Sequence, residues 1–230
     1  MSERNELAMR AVETIESGMV VGLGTGRAAM RGVRALAGRV RAEGLKITGV
    51  ATSLRTAQEA DELGIPLENL SRVDRVDYLF DGADEVDGSL RMIKGGGAAM
   101  TREKIVARMS ERRVYLVQEA KLVRRLGKQF PVPVEVLACA SRMLERLLRD
   151  ELSLVATVRR DRDGRIVRTD DMNPVLDVAL GDLDEEDLDG LGAWLDSVPG
   201  VVGHGLFLDE ADEVLVENEA GRVRALTRQG

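Results

Sequence analysis

From residue 19 onward the chain repeats one grammar: a short apolar run, a break of glycines or hydroxyls, then an amphipathic helical stripe. Met19-Val20-Val21 opens it and runs into Gly22-Leu23-Gly24-Thr25-Gly26, after which Met30, Val33, Ala37 and Val40 recur at helical spacing. Residues 45 to 51 make a second apolar run, leading to Thr52-Ser53-Leu54-Arg55-Thr56 at the head of a helix that Gly64 ends. Val76 to Phe80 is a third, and Val114 to Val117 a fourth, ending near Lys121. Apolar runs this short suit strands covered on both faces, and the helical segments between them make such strands parallel. Ahead of the repeat, Ala8, Ala11, Val12 and Ile15 predict a helix stopped by Gly18, while Ile65-Pro66-Leu67 reads as a short edge strand.

Near Phe130 the grammar changes. Phe130-Pro131-Val132-Pro133-Val134 reads as a linker or edge strand, because neither proline can donate to a ladder. A helix with Met143, Leu144, Leu147 and Leu148 follows, then two strands, residues 152–160 and 165–169, joined by Asp161-Arg162-Asp163-Gly164 as a hairpin. A strand over 175–180, an acidic-fronted helix over 183–197 and closing strands at 205–208, 214–217 and 223–226 complete the chain. The expected fold is therefore α/β: an open, mostly parallel, Rossmann-like sheet with helices on both faces, plus a smaller α+β, ferredoxin-like unit.

Chemistry concentrates between Tyr78 and Lys104. The strand ends on two carboxylates, Asp81 and Asp84, with Gly82 and Ala83 between them; Lys94 and the run Gly95-Gly96-Gly97 follow, and a helix opens near Thr101 with Glu103 in its first turn. Carboxylates, an ammonium and bare backbone are the groups needed to move protons and to hold an anion. Three glycines let backbone N–H groups approach a ligand closely. Each piece also has a structural reading. Asp-Gly-Ala-Asp is an ordinary turn, Lys94 a surface charge, and Glu103 a dipole-compatible residue of a helix start. Their crowding at a strand end, where open α/β sheets place their ligands, favours the functional reading.

Strand, glycine loop and helix at Gly22 to Ala28 form the geometry that binds phosphate at a helix N-terminus. The dinucleotide fingerprint is not met: its third glycine, three residues after Gly24, would fall at position 27, which is Arg27, and the next strand closes on Val50-Ala51-Thr52 without an acid. A Walker A loop fails for want of Gly-Lys-Ser/Thr. Thr52, Ser53 and Thr56 read as helix caps, or as ligands beside a phosphate loop.

At 230 residues with 44% hydrophobic and 32% charged content, the chain can bury a large core. A net charge of −7 and the lack of a basic run argue against nucleic-acid binding, so an anionic substrate needs a local positive cluster. Cys139 is the one cysteine and His204 the one histidine, which excludes internal disulfides and leaves zinc or triad chemistry poorly supplied. No run approaches the roughly 20 apolar residues of a membrane span, and residues 1–10 lack the apolar core of a signal peptide. A cytoplasmic location, with no membrane partner, is expected.

The segments DGADEVD, KGGGAAMTREKIVA and VGLGTG resemble the ribose-5-phosphate isomerase type A family, and the resemblance continues through EAKLV, FPVPVEV and VPGVVGHGLF. It implies interconversion of ribose 5-phosphate and ribulose 5-phosphate in the pentose phosphate pathway, with no metal and no cofactor, by a homodimer or homotetramer. It also implies that the tail returns to the first domain, so that 1–127 with 204–230 form the catalytic domain and 128–203 an insertion. By resemblance Glu103 is the base between C2 and C1, and Lys121 binds substrate. Asp81 serves ring opening and proton transfer between O1 and O2, Asp84 the sugar hydroxyls, and Lys94 with Gly95, Gly96 and Gly97 the enediolate charge. A helix start lowers a carboxyl pKa while desolvation raises it, so water exclusion has to dominate if Glu103 is a strong base. Thr25, Gly26, Arg27 and Ala28 would hold the phosphate, yet the family's usual GTGST is here GTGRA. Its later TDNGN is Thr169-Asp170-Asp171-Met172-Asn173. Two other readings stay open: an isomerase of another phosphorylated aldose, and a non-catalytic sugar-phosphate sensor, which would have no need of Glu103. Phe207 and Trp194 are core residues or partner-facing ones.

Overall fold

A computed structural model describes residues 5–181, 183–184 and 187–228. In chain order the elements are α1 (Glu6–Val12), β1 (Val20–Leu23), α2 (Arg27–Glu43), β2 (Thr48–Ala51), α3 (Leu54–Glu62), β3 (Val76–Gly82), β4 (Glu85–Val86), β5 (Met92–Ile93), α4 (Met100–Met109), β6 (Ser110–Gln118), β7 (Val132–Val136), α5 (Ser141–Leu152), β8 (Val155–Val158), β9 (Val175–Ala179), α6 (Asp187–Ser197), β10 (Val201–His204), β11 (Leu206–Phe207), β12 (Glu213–Glu217) and β13 (Val223–Thr227). They form two compact units, one of residues 1–83, 102–121 and 209–230, the other of 84–101 and 122–208.

The first unit is built on a six-stranded sheet in the order β13-β12-β6-β3-β1-β2. All its pairings are parallel except that of β12 with β13. Its central strands are largely buried on both faces, as the sequence predicts: in β3, Val76, Tyr78, Leu79, Phe80 and Asp81 are all buried, whereas the edge strand β13 has no buried residue. α1 ends at Val12 rather than reaching Gly18; its Leu7, Ala11 and Val12, Ile15 just beyond it, and Val33, Leu36 and Ala37 from α2 pack with Val21, Leu23 and Phe80 in one core. Parallel strands put all their carboxyl ends on one edge. The chain order places β2 on one side of β1 and β3 on the other, which makes the carboxyl ends of β1 and β3 the switch point where such sheets bind ligands. The 65–67 segment contributes a single parallel bridge, Gly49 to Leu67, beyond β2.

The second unit holds a four-stranded antiparallel sheet in the order β10-β7-β9-β8 and a three-stranded one in the order β11-β5-β4. With α5 between β7 and β8, and α6 between β9 and β10, the larger sheet has the interleaved βαββαβ connection of a ferredoxin-like unit. Residues 84–101 group here, although the sequence expectation left them in the first domain: β5 pairs with β11, and Ile93 packs with Val132, Val134 and Leu206.

Three other local readings change. Residues 130 and 131 lead in from outside any strand, but 132–134 are not an edge, since they open β7, which lies between β10 and β9. Pro133 is tolerated because its carbonyl accepts from the Gly205 N–H at 2.7 Å, so the side on which it lacks a donor lies past His204, where β10 ends. The turn at 161–164 is present, but 165–169 adds only the bridges Arg160 to Ile166 and Arg168 to Pro174, and β8 takes β9 as its partner. The acidic-fronted helix begins at Asp187 rather than 183; residues 182, 185 and 186 of that stretch lie outside the described residues.

Candidate active site

Within the first unit the loop after β1 meets the end of β3. The Thr25 N–H donates to Asp81 Oδ1 at 2.9 Å, and the Gly82 N–H donates to the same oxygen at 2.7 Å. Asp81 has no exposed surface, and a buried carboxylate is tolerated only where such donors replace water. Close approach requires glycine at position 24, where a Cβ would stand 2.5 Å from the Asp81 Cα. The loop closes at Gly26, whose φ of 98° opens α2 without a side-chain cap. The helix's first backbone hydrogen bond runs from the Met30 N–H to the Gly26 carbonyl, so the preceding N–H groups face outward, as anion binding at a helix start requires. Arg27 stands exposed there and makes no hydrogen bond or ion pair among the described residues; Ala28 is half-buried.

Of Thr52, Ser53 and Thr56, which the sequence leaves between cap and ligand, Ser53 is a cap, and all three also bond within the loop. Ser53 Oγ caps α3 by accepting from the Thr56 N–H, and the three hydroxyls converge on Thr25: Thr25 Oγ1 lies 2.8 Å from Thr52 Oγ1, donates to Ser53 Oγ at 2.8 Å and lies 3.2 Å from Thr56 Oγ1. Thr56 in turn donates to the Gly24 carbonyl at 3.0 Å. The web holds the phosphate-type loop to the head of α3.

On the same unit Glu103, 4% exposed, sits in the first turn of α4. Burial drives the pKa of Tyr115 on β6 well above 10, and the carboxylates of Asp81, Glu210 and Glu103 push it further the same way. Two residues overlooked in the sequence, Tyr115 and Glu210, thus share the buried acidic surroundings of Asp81 and Glu103. No signal pointed to them: VYLV reads as plain core, and Glu210 lies in an ordinary acidic stretch. Lys121, half-buried, follows the carboxyl end of β6 in a short 3₁₀ turn.

The second unit carries the remaining residues. Asp84 is half-buried next to Gly82 and Ala83 in sequence, and its Oδ2 accepts from the Gly96 N–H at 2.7 Å. Lys94, only 2% exposed, has its Nζ 5.4 Å from the centre of the Phe207 ring, a cation–π contact that offsets part of the cost of burying an ammonium. Phe207 itself is fully buried, and Trp194 donates from Nε1 to Glu151 at 3.2 Å. Gly95 has a φ of 105°, and Gly96 and Gly97 are exposed. Among the described residues no group of three or more His, Cys, Asp or Glu is placed to hold a metal ion, and no helix is long and apolar enough to cross a membrane.

A doubly wound sheet with buried carboxylates and an anion-type loop at its switch point defines a class, the α/β enzymes that work by proton transfer. The model of the family described as Ribose 5-phosphate isomerase A (phosphoriboisomerase A) matches residues 48–221, and the chain belongs to that family. It is 45% identical to the Ribose-5-phosphate isomerase A of Thermomicrobium roseum, an alignment covering 98% of this chain and 93% of the relative. To that of Lacticaseibacillus paracasei it is 44% identical over 95% of this chain and 93% of the relative. Among solved structures, ribose 5-phosphate isomerase A from Methanocaldococcus jannaschii superposes with a TM-score of 0.89 at 40% identity, covering 97% of each chain. A D-ribose-5-phosphate isomerase in complex with phospho-erythronic acid superposes at 0.91 with 36% identity, again over 97% of each.

Proposed function

We propose that the protein interconverts D-ribose 5-phosphate and D-ribulose 5-phosphate through an enediolate, and that the residues singled out in the sequence carry the steps. The phosphate is held at the head of α2 by Thr25, Gly26, Arg27 and Ala28, with N–H groups and the helix dipole supplying the attraction. Asp81 opens the sugar ring and moves the hydroxyl proton between O1 and O2. Glu103 takes the proton from C2, leaving its electron pair in the enediolate, and returns a proton to C1 so that the carbonyl ends at C2. Lys94 and the N–H groups of Gly95, Gly96 and Gly97 stabilise the enediolate oxygen. Asp84, with Gly82 and Ala83 beside it, and Lys121 hold sugar hydroxyls. No step calls for a metal or cofactor.

The observation that carries this reading is the Thr25 N–H bond to buried Asp81. It ties a phosphate-type loop to a proton-transfer carboxylate at the switch point of a sheet whose family acts on this sugar phosphate. A coupled assay with ribose 5-phosphate beside other aldose phosphates tests it. The highest kcat/KM is expected for ribose 5-phosphate; binding without turnover would mark a sensor, and preference for another aldose a different isomerase. On the family resemblance we also infer a cytoplasmic homodimer or homotetramer that takes neither nucleic acid nor membrane as partner, which sedimentation of the purified protein checks for its oligomeric part.

A further inference from the structure

Arg159, just past β8, divides its guanidinium between a carboxylate and a main-chain loop. Its Nε lies 2.9 and 3.1 Å from the two carboxylate oxygens of Asp177, while Nη1 donates to the Gly95 carbonyl at 2.7 Å and the Gly96 carbonyl at 3.2 Å. The pair is largely buried, with 13% of the Arg159 and 21% of the Asp177 side chain exposed. A guanidinium's fixed fork suits this double duty, whereas an ammonium has no such planar array. What Arg159 grips is a loop of three glycines with little steric preference of its own.

The grip has a directional consequence. There are no cis peptides among the described residues, and in a trans peptide the carbonyl and the following N–H point opposite ways. With the Gly95 carbonyl on Arg159, and also accepting from the Ala98 N–H at 3.0 Å, the Gly96 N–H faces away from the guanidinium, and it meets Asp84 Oδ2 at 2.7 Å. With the Gly96 carbonyl also on Arg159, the Gly97 N–H likewise faces away, and it makes no hydrogen bond among the described residues.

We propose that Arg159, anchored by Asp177, is a positioning residue for the isomerisation: it sets two peptide planes so that the Gly96 N–H fixes the Asp84 carboxylate and the Gly97 N–H is aimed to receive anionic oxygen. This rests on the assignment of the glycine loop to the enediolate given above. Nothing in the substrate needs to touch Arg159.

The test compares wild type, Arg159→Ala and Asp177→Asn in the ribose 5-phosphate assay, each checked for folding by circular dichroism. Arg159→Ala is expected to lose roughly 10- to 10²-fold in kcat, with KM changed by less than about threefold, since misdirected donors cost transition-state rather than ground-state binding. Added guanidinium should restore part of that loss, which no effect on general stability would allow. Asp177→Asn, which leaves Arg159 in place but slackens its anchor, should fall between the two and covers the case in which Arg159→Ala does not fold. An inactive wild type overturns the functional reading itself. An active wild type with variants of normal kcat, or with a loss that guanidinium leaves untouched, overturns the clamp alone.

Discussion

Tyr115 has no exposed surface, and Asp81, Glu210 and Glu103 all oppose the charge its ionisation would create. Tyr78, the other tyrosine of the chain, donates its hydroxyl to the Ala11 carbonyl at 2.8 Å, and burial pushes its pKa up to about 12. The folded protein is therefore expected to show no tyrosinate absorbance at 295 nm up to about pH 11, with signal appearing only on unfolding. Both phenols have folded values above their unfolded one near 10, so they favour the native state fully below that pH and lose this contribution as pH rises past it. A titration step near pH 10 in protein that keeps its circular dichroism would contradict the burial. Glu103 is the residue on which the chemistry turns. Glu103→Gln keeps the shape and removes the base, so kcat should fall by about 10²-fold or more while substrate still binds. A near-normal kcat in that variant would take Glu103 out of the mechanism.

Elements were legible where their residues had one physical meaning. The strands of the parallel sheet stood out where burial on both faces leaves no polar alternation to confuse them, as in β3 and the 114–117 half of β6; the polar half of β6, residues 110–113, gave no such signal. β7 did not, because a proline says only that one donor is missing, not which side of the strand it is missing from. The 165–169 run has strand-forming residues but buries only Thr169 fully, with Arg165, Ile166 and Arg168 exposed, so it has no continuous apolar face to hold a ladder. Arg159 was invisible for another reason: its partners are main-chain carbonyls more than sixty positions away, and carbonyls have no sequence signature. Pairing of β6 with β12 adds a testable feature of its own. Arg113 binds Asp212 through Nε at 2.9 Å, Nη2 at 2.6 Å and its backbone N–H at 2.7 Å. Burial pushes the Asp212 carboxyl up, but these Arg113 bonds together outweigh it and leave the pKa below 3.8. Its stabilising effect is thus complete above the unfolded value near 4 and is lost as pH falls through the lower folded one. Asp212→Asn should lower the urea midpoint by a constant amount between about pH 7 and 5, and the gap from wild type should shrink below about pH 4. A gap that persists unchanged at pH 3 would assign the effect to packing instead.

At the scale of the molecule, the grouping of residues 84–101 with 122–208 was hidden because it depends on two-residue strands, β5 and β11, too short for any periodicity. Charge, by contrast, is legible directly, and it poses a problem: a chain of net charge −7 must attract a dianionic sugar phosphate. The long-range field repels the substrate, and salt weakens that repulsion, since charges more than about 8–10 Å apart are screened at physiological ionic strength. A cation in contact with the phosphate has the opposite salt response, because added ions compete with the pair. Arg27 is the exposed cation at the head of α2, replacing a hydroxyl of the family's usual loop with a guanidinium that suits a bidentate grip on phosphate oxygens. If it makes that grip, Arg27→Ala raises KM about tenfold with kcat little changed, since the phosphate is held alike in ground and transition states. The wild-type KM should then climb several-fold between roughly 20 and 300 mM salt, whereas the variant, with no side-chain cation on the phosphate, should show a flat or falling KM over the same range. Parallel salt curves and an unchanged KM in Arg27→Ala would mean that backbone N–H groups and the Thr25 hydroxyl web hold the phosphate without it.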